Sequence, residues 1–283
     1  MYLKNRFSLQ SACFRIFLFW MFCFSTSGTY ADGLWHSIGA RQAGMNGASV
    51  AIHDFWNIQN NQAGMADIRT PSFGMAYESR FSINALSLRS LAFIMPVKWG
   101  VTGLSINYFG YSLYHEMKIG LAYARSFGPN FRFGLQLDYL QTAFGEGYGK
   151  FQNLTFEMGV QADLTPDLCV GAWVFNPLSV KLASYQTQHF PVVVRLGLAY
   201  SFSDDLLVTI ESEKNTDFNA LILRAGMEYV LKKRFFFRIG IGNQQEIFSM
   251  GFGIHWKHLQ LDLAARMHAS LGFSPQTSLV YTF

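Results

Sequence analysis

Apolar side chains recur at every second position from residue 72 to the end of the chain. Residues 131–139, 221–229 and 259–267 each place apolar side chains on one face and, apart from Ile222, polar or small ones on the other. A period of two is the period of a β-strand. Beyond the N-terminus there is no run of roughly 20 apolar residues, the length that a transmembrane helix needs. A chain of this pattern is expected to fold almost entirely from strands.

The alternating segments number about fourteen. They fall near 72–80, 87–97, 99–109, 114–126, 130–143, 151–163, 167–176, 191–202, 205–213, 219–231, 234–243, 247–256, 258–268 and 276–283. Each is close to the roughly 9–11 residues with which a tilted strand crosses a bilayer. An even number of strands is typical of single-chain bacterial barrels.

The chemistry of the two strand faces separates a membrane barrel from a soluble β-protein. Half of the residues are apolar and only 14% are charged. A soluble sandwich would point its apolar face inward and expose a face rich in Lys and Glu. Here the polar face is thin and rich in Gly, Ala and Ser, whereas the apolar face is heavy in Phe, Tyr, Leu and Met. The sequence therefore predicts an all-β fold, a transmembrane antiparallel β-barrel of about 14 strands.

The connections between segments are expected to alternate in length, as short periplasmic turns and longer outside loops do in barrels. Tight turns are predicted at 98–100, 128–130, 165–167, 203–204, 232–233 and 257. Longer loops are predicted at 81–86, 110–113, 144–150, 177–190, 214–218, 244–246 and 269–275.

The first 31 residues have the features of a signal peptide. Lys4, Arg6 and Arg15 precede or open a short apolar stretch, and small residues lead to a cleavage site after Ala31. An N-terminal membrane anchor is the alternative, although the stretch is short for one. Cleavage would leave 19 basic residues against 18 acidic ones. This balance argues against a nucleic-acid partner.

The C-terminal residues alternate apolar side chains and end on an aromatic one. Leu279, Tyr281 and Phe283 resemble the signal by which the barrel-assembly machinery recognises its substrates. Together with the signal peptide, they predict a protein of the outer membrane of a Gram-negative bacterium. Its expected partners are outer-membrane lipid and the assembly machinery.

Residues 38–66 do not alternate and carry a motif. The motif residues are Gly39, Ala40, Arg41, Gly44, Met45, Gly47, Ala48, Val50, Ala51, Asp54, Asn61, Ala63, Gly64 and Ala66. They resemble the N-terminal box of the FadL/PorV superfamily of outer-membrane barrels, whose pattern runs G-A-R-x-x-G-M-G-G-A, then V-A, an acidic residue and N-P-A-G-L-A. Two positions depart from it: Asn46 replaces a Gly and Gln62 replaces the Pro.

The resemblance implies fourteen strands, a barrel over residues 71–283 and a plug, residues 32–70, inside the lumen. The residues expected at the contact between plug and wall are Arg41, Gly44, Gly47, Asp54, Asn61, Ala63 and Gly64. Small residues permit close approach of the plug to a wall, and amide side chains satisfy polar groups of the lumen. A disordered periplasmic tail is the alternative for this segment.

Charged residues on the thin face are expected to line the lumen. The predicted polar wall consists of Arg132, Asp138, Glu157, Arg195, Arg224, Glu228, Arg238, Asp262 and Arg266. One interpretation is a polar conduit or ligand site. The other, which the mixture of signs favours, is a network of paired charges, since unpaired charges in a small lumen are costly.

Signals of catalysis and of metal or cofactor binding are weak. There is no G-x-S-x-G elbow, and no Ser/His/Asp group is recognisable. His255 and His258 lie across a tight turn without a carboxylate or Cys at ligand spacing. The sequence predicts a protein that is not an enzyme and binds no cofactor or metal.

The opening of the motif is nearer to the PorV/PorQ branch than to FadL itself. That resemblance implies an accessory of protein secretion or surface attachment, of the type IX kind found in Bacteroidota. Secretion-system subunits or secreted cargo would then be partners, with residues 177–190 as the contact to examine. The alternative is a FadL-like transporter of hydrophobic small molecules, and a structural barrel without transport is a third possibility.

Overall fold

The computed structural model describes residues 37–283 except 146–148, 181–188, 218–219 and 244–245. The predicted signal peptide and the first five residues of the plug lie outside the described residues.

Fourteen strands form one closed barrel. Their bounds are β1 (Ser72–Ser79), β2 (Ser87–Val97), β3 (Gly100–Tyr111), β4 (Tyr114–Phe127), β5 (Phe131–Phe144), β6 (Gly149–Thr165), β7 (Leu168–Phe175), β8 (Val193–Ser203), β9 (Leu206–Asn215), β10 (Ile222–Leu231), β11 (Phe235–Gly242), β12 (Glu246–Trp256), β13 (Leu259–His268) and β14 (Gly272–Thr282). Every strand is antiparallel to the next, and β1 closes the barrel on β14. The predicted fold is confirmed.

The two faces of the wall have the chemistry that a bilayer requires. In β5, Leu135 and Leu137 are 42% and 55% exposed, whereas Gln136 and Asp138, which alternate with them, are fully buried. The outward face is thus apolar and the inward face polar, which is the reverse of a soluble sandwich. This arrangement of faces identifies the fold as a transmembrane barrel.

The plug folds into short helical turns within the lumen. They are α1 (Ala40–Gly44), α2 (Asn57–Asn60) and a 3₁₀ turn at Gln62–Met65. Its side chains are largely buried, and Trp56 and Ile58 pack in an apolar cluster with residues of β2 to β4. Within the described ranges, no helix has both the length and the apolar character to cross a membrane.

The end of the barrel where β1 begins, called here the turn end, has connections of two or three residues. They are 98–99, 128–130, 166–167, 204–205, 232–234 and 257–258. The opposite end, called here the loop end, has connections at 80–86, 112–113, 145–148, 176–192, 216–221, 243–245 and 269–271.

Three loop-end connections are shorter than predicted: the one predicted at 144–150 spans 145–148, and those after β3 and β13 are reduced to two and three residues. Gly110 and Tyr111 continue β3 and pair with His115 and Tyr114, which leaves a two-residue turn. The last strand begins at Gly272 and not at 276, because Pro275 pairs within the ladder opposite Ala265. The expected alternation of loop lengths is wrong after β3 and β13, since turn-forming residues such as Gly and Pro are accommodated inside the strands.

Candidate functional site: the plug and the lumen wall

Glycines in the wall allow the plug backbone to lie directly against it. A Cβ added at Gly134 would lie 2.4 Å from the Ala63 amide nitrogen, and one added at Gly171 would lie 2.3 Å from the Val50 oxygen. Gly44 of the plug and Gly251 of β12 are in similar contact, with 3.0 Å from an added Cβ to the opposite Cα. The plug backbone therefore packs directly against the wall at positions where only glycine leaves room for it.

Arg41 ties the plug to β10 through a buried chain of charges. Its guanidinium donates to both carboxylate oxygens of Glu228, at 2.6 and 2.9 Å, and to Asp54 at 2.9 Å. Burial acts to lower the pKa of Arg41, but the charges of Glu228 and Asp54 outweigh it and raise that pKa. Arg238 extends this series of ion pairs, because its guanidinium donates to Glu228 at 2.5 Å and to Asp262 at 2.6 Å.

A wall carboxylate caps the backbone in the middle of the plug. Oε2 of Glu211 accepts hydrogen bonds from the amides of Ser49 and Val50 at 2.7 and 2.8 Å. Arg195 and Arg224 each donate to Glu213 on the same strand, at 2.8 and 2.7 Å. Glu211 therefore offers the plug a hydrogen-bond acceptor whose negative charge is balanced by the nearby Arg195 and Arg224.

The amides at the end of the plug also reach the wall. Asn61 Nδ2 donates to Val50 O at 2.6 Å and to Val160 O of β6 at 3.2 Å. Gln62 Nε2 donates to Oε2 of Glu157 at 2.6 Å, and the other oxygen of this carboxylate is paired with Lys118. The Asn61 side chain therefore links two parts of the plug to each other and also bonds the plug to the wall.

The remaining residues of the predicted polar wall face inward as well. Arg266 bridges Glu246 and Glu78 at 2.7 and 2.9 Å. Asp138 accepts from Gln136 at 2.8 Å. Because these groups are paired with one another, the arrangement favours the network of charges over an open conduit. A cavity of about 10 Å³ beside Gly39 and Glu78 has room for roughly one water molecule.

Two predicted contact residues face both the wall and the rest of the plug. A Cβ at Gly64 would lie 1.8 Å from Asn57 Nδ2 of the plug and 2.9 Å from Gln161 Nε2 of β6. Gly47 has a φ of +83°, and a Cβ there would lie 3.0 Å from Ser37 Oγ and 3.6 Å from Arg224 Cδ of β10. The positive φ there favours glycine.

The three residues of the predicted assembly signal lie on the outer surface near the turn end. Tyr281 and Phe283 are 43% and 63% exposed, and their rings pack edge to face at 5.1 Å. The Phe283 amide donates to Pro71 O, which holds the last residue against the start of β1. Their side chains are accessible from outside the barrel.

Sequence reasoning missed an apolar column that runs along one side of the lumen. At the loop end Phe190 and Val193 cover Phe175, which stacks on Trp173 at 6.3 Å. The column continues to the turn end between the wall and the plug. Its members are Met45, Val50, Ala51, Ile52, Leu140, Cys169, Trp173, Phe175, Phe190, Val193 and Ala199. The inward positions of β7 are apolar among polar neighbours, and only the barrel closure brings them together with the plug.

A second missed feature is a polar cluster at the turn end. Arg132 pairs with Asp67 of the plug and with Asp163 of β6. His53 lies beside both carboxylates, at 3.9 and 3.8 Å. Burial and the charge of Arg132 lower the pKa of His53, which favours its neutral form. Arg132 was predicted in the polar wall, but because these residues are far apart in sequence, no spacing signal could have predicted that they meet.

The fold and the lumen together define a plugged fourteen-strand transmembrane barrel, the fold of FadL-type outer-membrane proteins. The toluene transporter TodX of P. putida is similar, with a TM-score of 0.67 and 10% identity over 88% of this chain and 99% of that one. The Ralstonia pickettii toluene transporter TbuX has a TM-score of 0.65 and 13% identity over 87% of this chain and 97% of its own. A Pseudomonas aeruginosa FadL homologue has a TM-score of 0.65 and 12% identity over 89% of this chain and 99% of its own. No family model and no curated protein matches the chain.

Proposed function

We propose that this protein resides in the outer membrane of a Gram-negative bacterium and passes small hydrophobic molecules along the apolar column. The column carries the proposal, because it offers a continuous apolar surface through a lumen whose wall is otherwise polar and charged. A hydrophobic solute partitions favourably to such a surface. The similar solved proteins TodX and TbuX are described as a monoaromatic hydrocarbon channel and a toluene transporter, which supports solutes of this size.

Passage along the column requires the plug to yield. Val50 and Ile52 belong to the plug and are nearly fully buried against the wall residues of the column. A molecule entering past Phe190 and Phe175 meets these side chains before it reaches the turn end. The plug is therefore proposed to shift by breaking some of its hydrogen bonds to the wall, while the hydrogen bonds between the barrel strands remain intact.

Uptake of labelled toluene into proteoliposomes or whole cells tests the solute route. Phe175→Gln places an amide in the column and is expected to reduce uptake about tenfold, which corresponds to ~1.4 kcal/mol. The matched control is Phe127→Gln, at the end of β4, where the ring is exposed outside the barrel. Equal uptake by both variants and the wild type would exclude the column as the route.

A disulfide lock tests the movement of the plug. Ala40 N donates to Ser278 Oγ of β14 at 3.1 Å, so the two residues are in contact and cysteines at both positions are expected to link. In a Cys169→Ser background, the oxidised double variant is expected to lose uptake and to regain it on reduction. Undiminished uptake through the oxidised protein would show that the plug need not move at Ala40.

A secretion or surface-attachment accessory is the second candidate. The observation that favours it is the 176–192 connection, the longest at the loop end. Its described ends are fastened to each other, with Asn176 Nδ2 donating to Phe190 O at 2.9 Å and Phe190 N to Val180 O at 2.9 Å. Purification from outer membranes in mild detergent separates the candidates. Secretion-system subunits or cargo bound through this connection favour the accessory, whereas a barrel carrying a hydrophobic molecule favours transport.

A further inference from the structure

Three side chains with metal-binding atoms meet at the turn end from three separate segments. They are His53 of the plug, Asp163 of β6 and Cys169 of β7, and their ligand atoms all lie within 4.8 Å of one another. Asp163 and Cys169 are directly opposite in the ladder between β6 and β7. The wall therefore fixes two of the groups, and the seated plug delivers the third.

Two carboxylates lie on either side of the His53 imidazole. His53 Nδ1 faces Asp67 Oδ2 at 3.9 Å, while Nε2 faces Asp163 Oδ1 at 3.8 Å. Arg132 is bonded to the other oxygen of Asp163, which leaves Oδ1 directed toward the imidazole. A ligating histidine whose second nitrogen faces a carboxylate, beside a ligating carboxylate that is itself hydrogen-bonded, is the usual outer arrangement of protein metal sites.

The charge and accessibility of this cluster suit a divalent ion. Asp67 and Asp163 against the single guanidinium of Arg132 leave one negative charge, and Cys169 would add a second on losing its proton to a bound metal. The His53 side chain is 38% exposed, so an ion can enter and the ring can rotate. Ligand bonds of about 2.0–2.3 Å require these atoms to close by roughly 1 Å, a movement within reach of that ring.

We propose that His53 Nε2, Asp163 Oδ1 and Cys169 Sγ bind one Zn²⁺, with water as the fourth ligand. Zinc is the metal that this mixture of thiolate, imidazole and carboxylate prefers in a four-coordinate site. The ion joins the plug to β6 and β7 at the turn end of the apolar column. The test of the site does not depend on the proposed transport, because metal binding is measured on the purified barrel without any solute.

Metal titration of the purified, chelator-treated protein in detergent tests the site. One equivalent of Zn²⁺ is expected to bind, and Co²⁺ in its place should show a thiolate-to-metal absorption band. Cys169→Ser is expected to abolish the band. His53→Gln should weaken Zn²⁺ binding by more than about 100-fold, and Asp67→Asn, which only orients His53, by about 10- to 100-fold.

The control is His258→Ala, which removes another histidine from the turn end and should leave binding unchanged. Gel mobility with and without heating reports whether each barrel is folded, and the exposed position of His53 keeps one ligand variant available even where Cys169→Ser does not fold. Absence of an equivalent of bound metal would overturn the proposal. Equal affinity in wild type and His53→Gln would overturn it as well.

Discussion

Gln62 of the plug donates a hydrogen bond from Nε2 to Oε2 of Glu157 in β6, over 2.6 Å. The same carboxylate oxygen accepts from Trp173 Nε1 at 3.1 Å. Position 62 is one of the two at which the chain departs from the pattern of its N-terminal motif, where a Pro is usual. A proline has no side-chain donor, so this departure adds a bond between plug and wall inside a buried, charge-bearing network.

Gln62→Ala is expected to destabilise the folded protein by about 1–3 kcal/mol, because a buried charged acceptor loses one of its donors. Trp173 still donates to the same oxygen, which keeps the loss within this range. Urea unfolding in detergent micelles measures it. Gln152→Ala, at an exposed position of β6, is the matched control and should change stability by less than about 0.5 kcal/mol. Equal effects of the two variants would contradict the role given to Gln62.

Arg41→Ala is expected to loosen the plug more strongly. Its removal leaves Asp54 and Glu228 without their shared cation, and losing one partner of a buried ion pair costs about 3 kcal/mol. A cysteine at Ala43, in a Cys169→Ser background, should then react with a maleimide roughly a hundredfold faster. Arg89→Ala, which removes an exposed arginine of β2, should leave the rate unchanged. A rate that stays slow in Arg41→Ala would show that other bonds suffice to seat the plug.

The wall was predictable from sequence because its determinant is local. Alternation in β5 decides which side chains face lipid, and each strand carries this information by itself. The plug contacts are different, since Glu211 meets Val50 across 161 residues and only barrel closure brings them together. Asn46 has one property that is set locally and one that depends on barrel closure. Its φ of 55° explains why a Gly is usual there, but its bond to Glu246 O depends on the register of β12.

Gly134→Ala is expected to prevent the plug from seating in its present position, because the new methyl group would lie 2.4 Å from the backbone of Gln62 and Ala63. Gly103→Ala is the informative comparison. Its methyl group meets mainly the far end of the flexible Ile58 side chain at 2.5 Å, and a rotamer change can relieve that contact. Labelling of the cysteine at Ala43 should therefore be fast in Gly134→Ala and close to normal in Gly103→Ala. The reverse order would mean that the plug is not held by backbone contact at β5.

Phe283→Ala separates recognition during assembly from stability of the finished barrel. The ring of Phe283 is 63% exposed, and its backbone amide, which holds it to Pro71, is retained in the variant. The stability of the purified, refolded protein should therefore change by less than about 0.5 kcal/mol. Recognition of this side chain by the assembly machinery, as the C-terminal pattern predicts, would nevertheless make the amount of folded barrel in the outer membrane fall several-fold. Phe202→Ala, equally exposed at the turn end of β8, is the control and should assemble normally. A normal yield of Phe283→Ala would show that the terminal ring is not part of the signal, whereas a matching loss of stability would attribute the defect to the barrel itself.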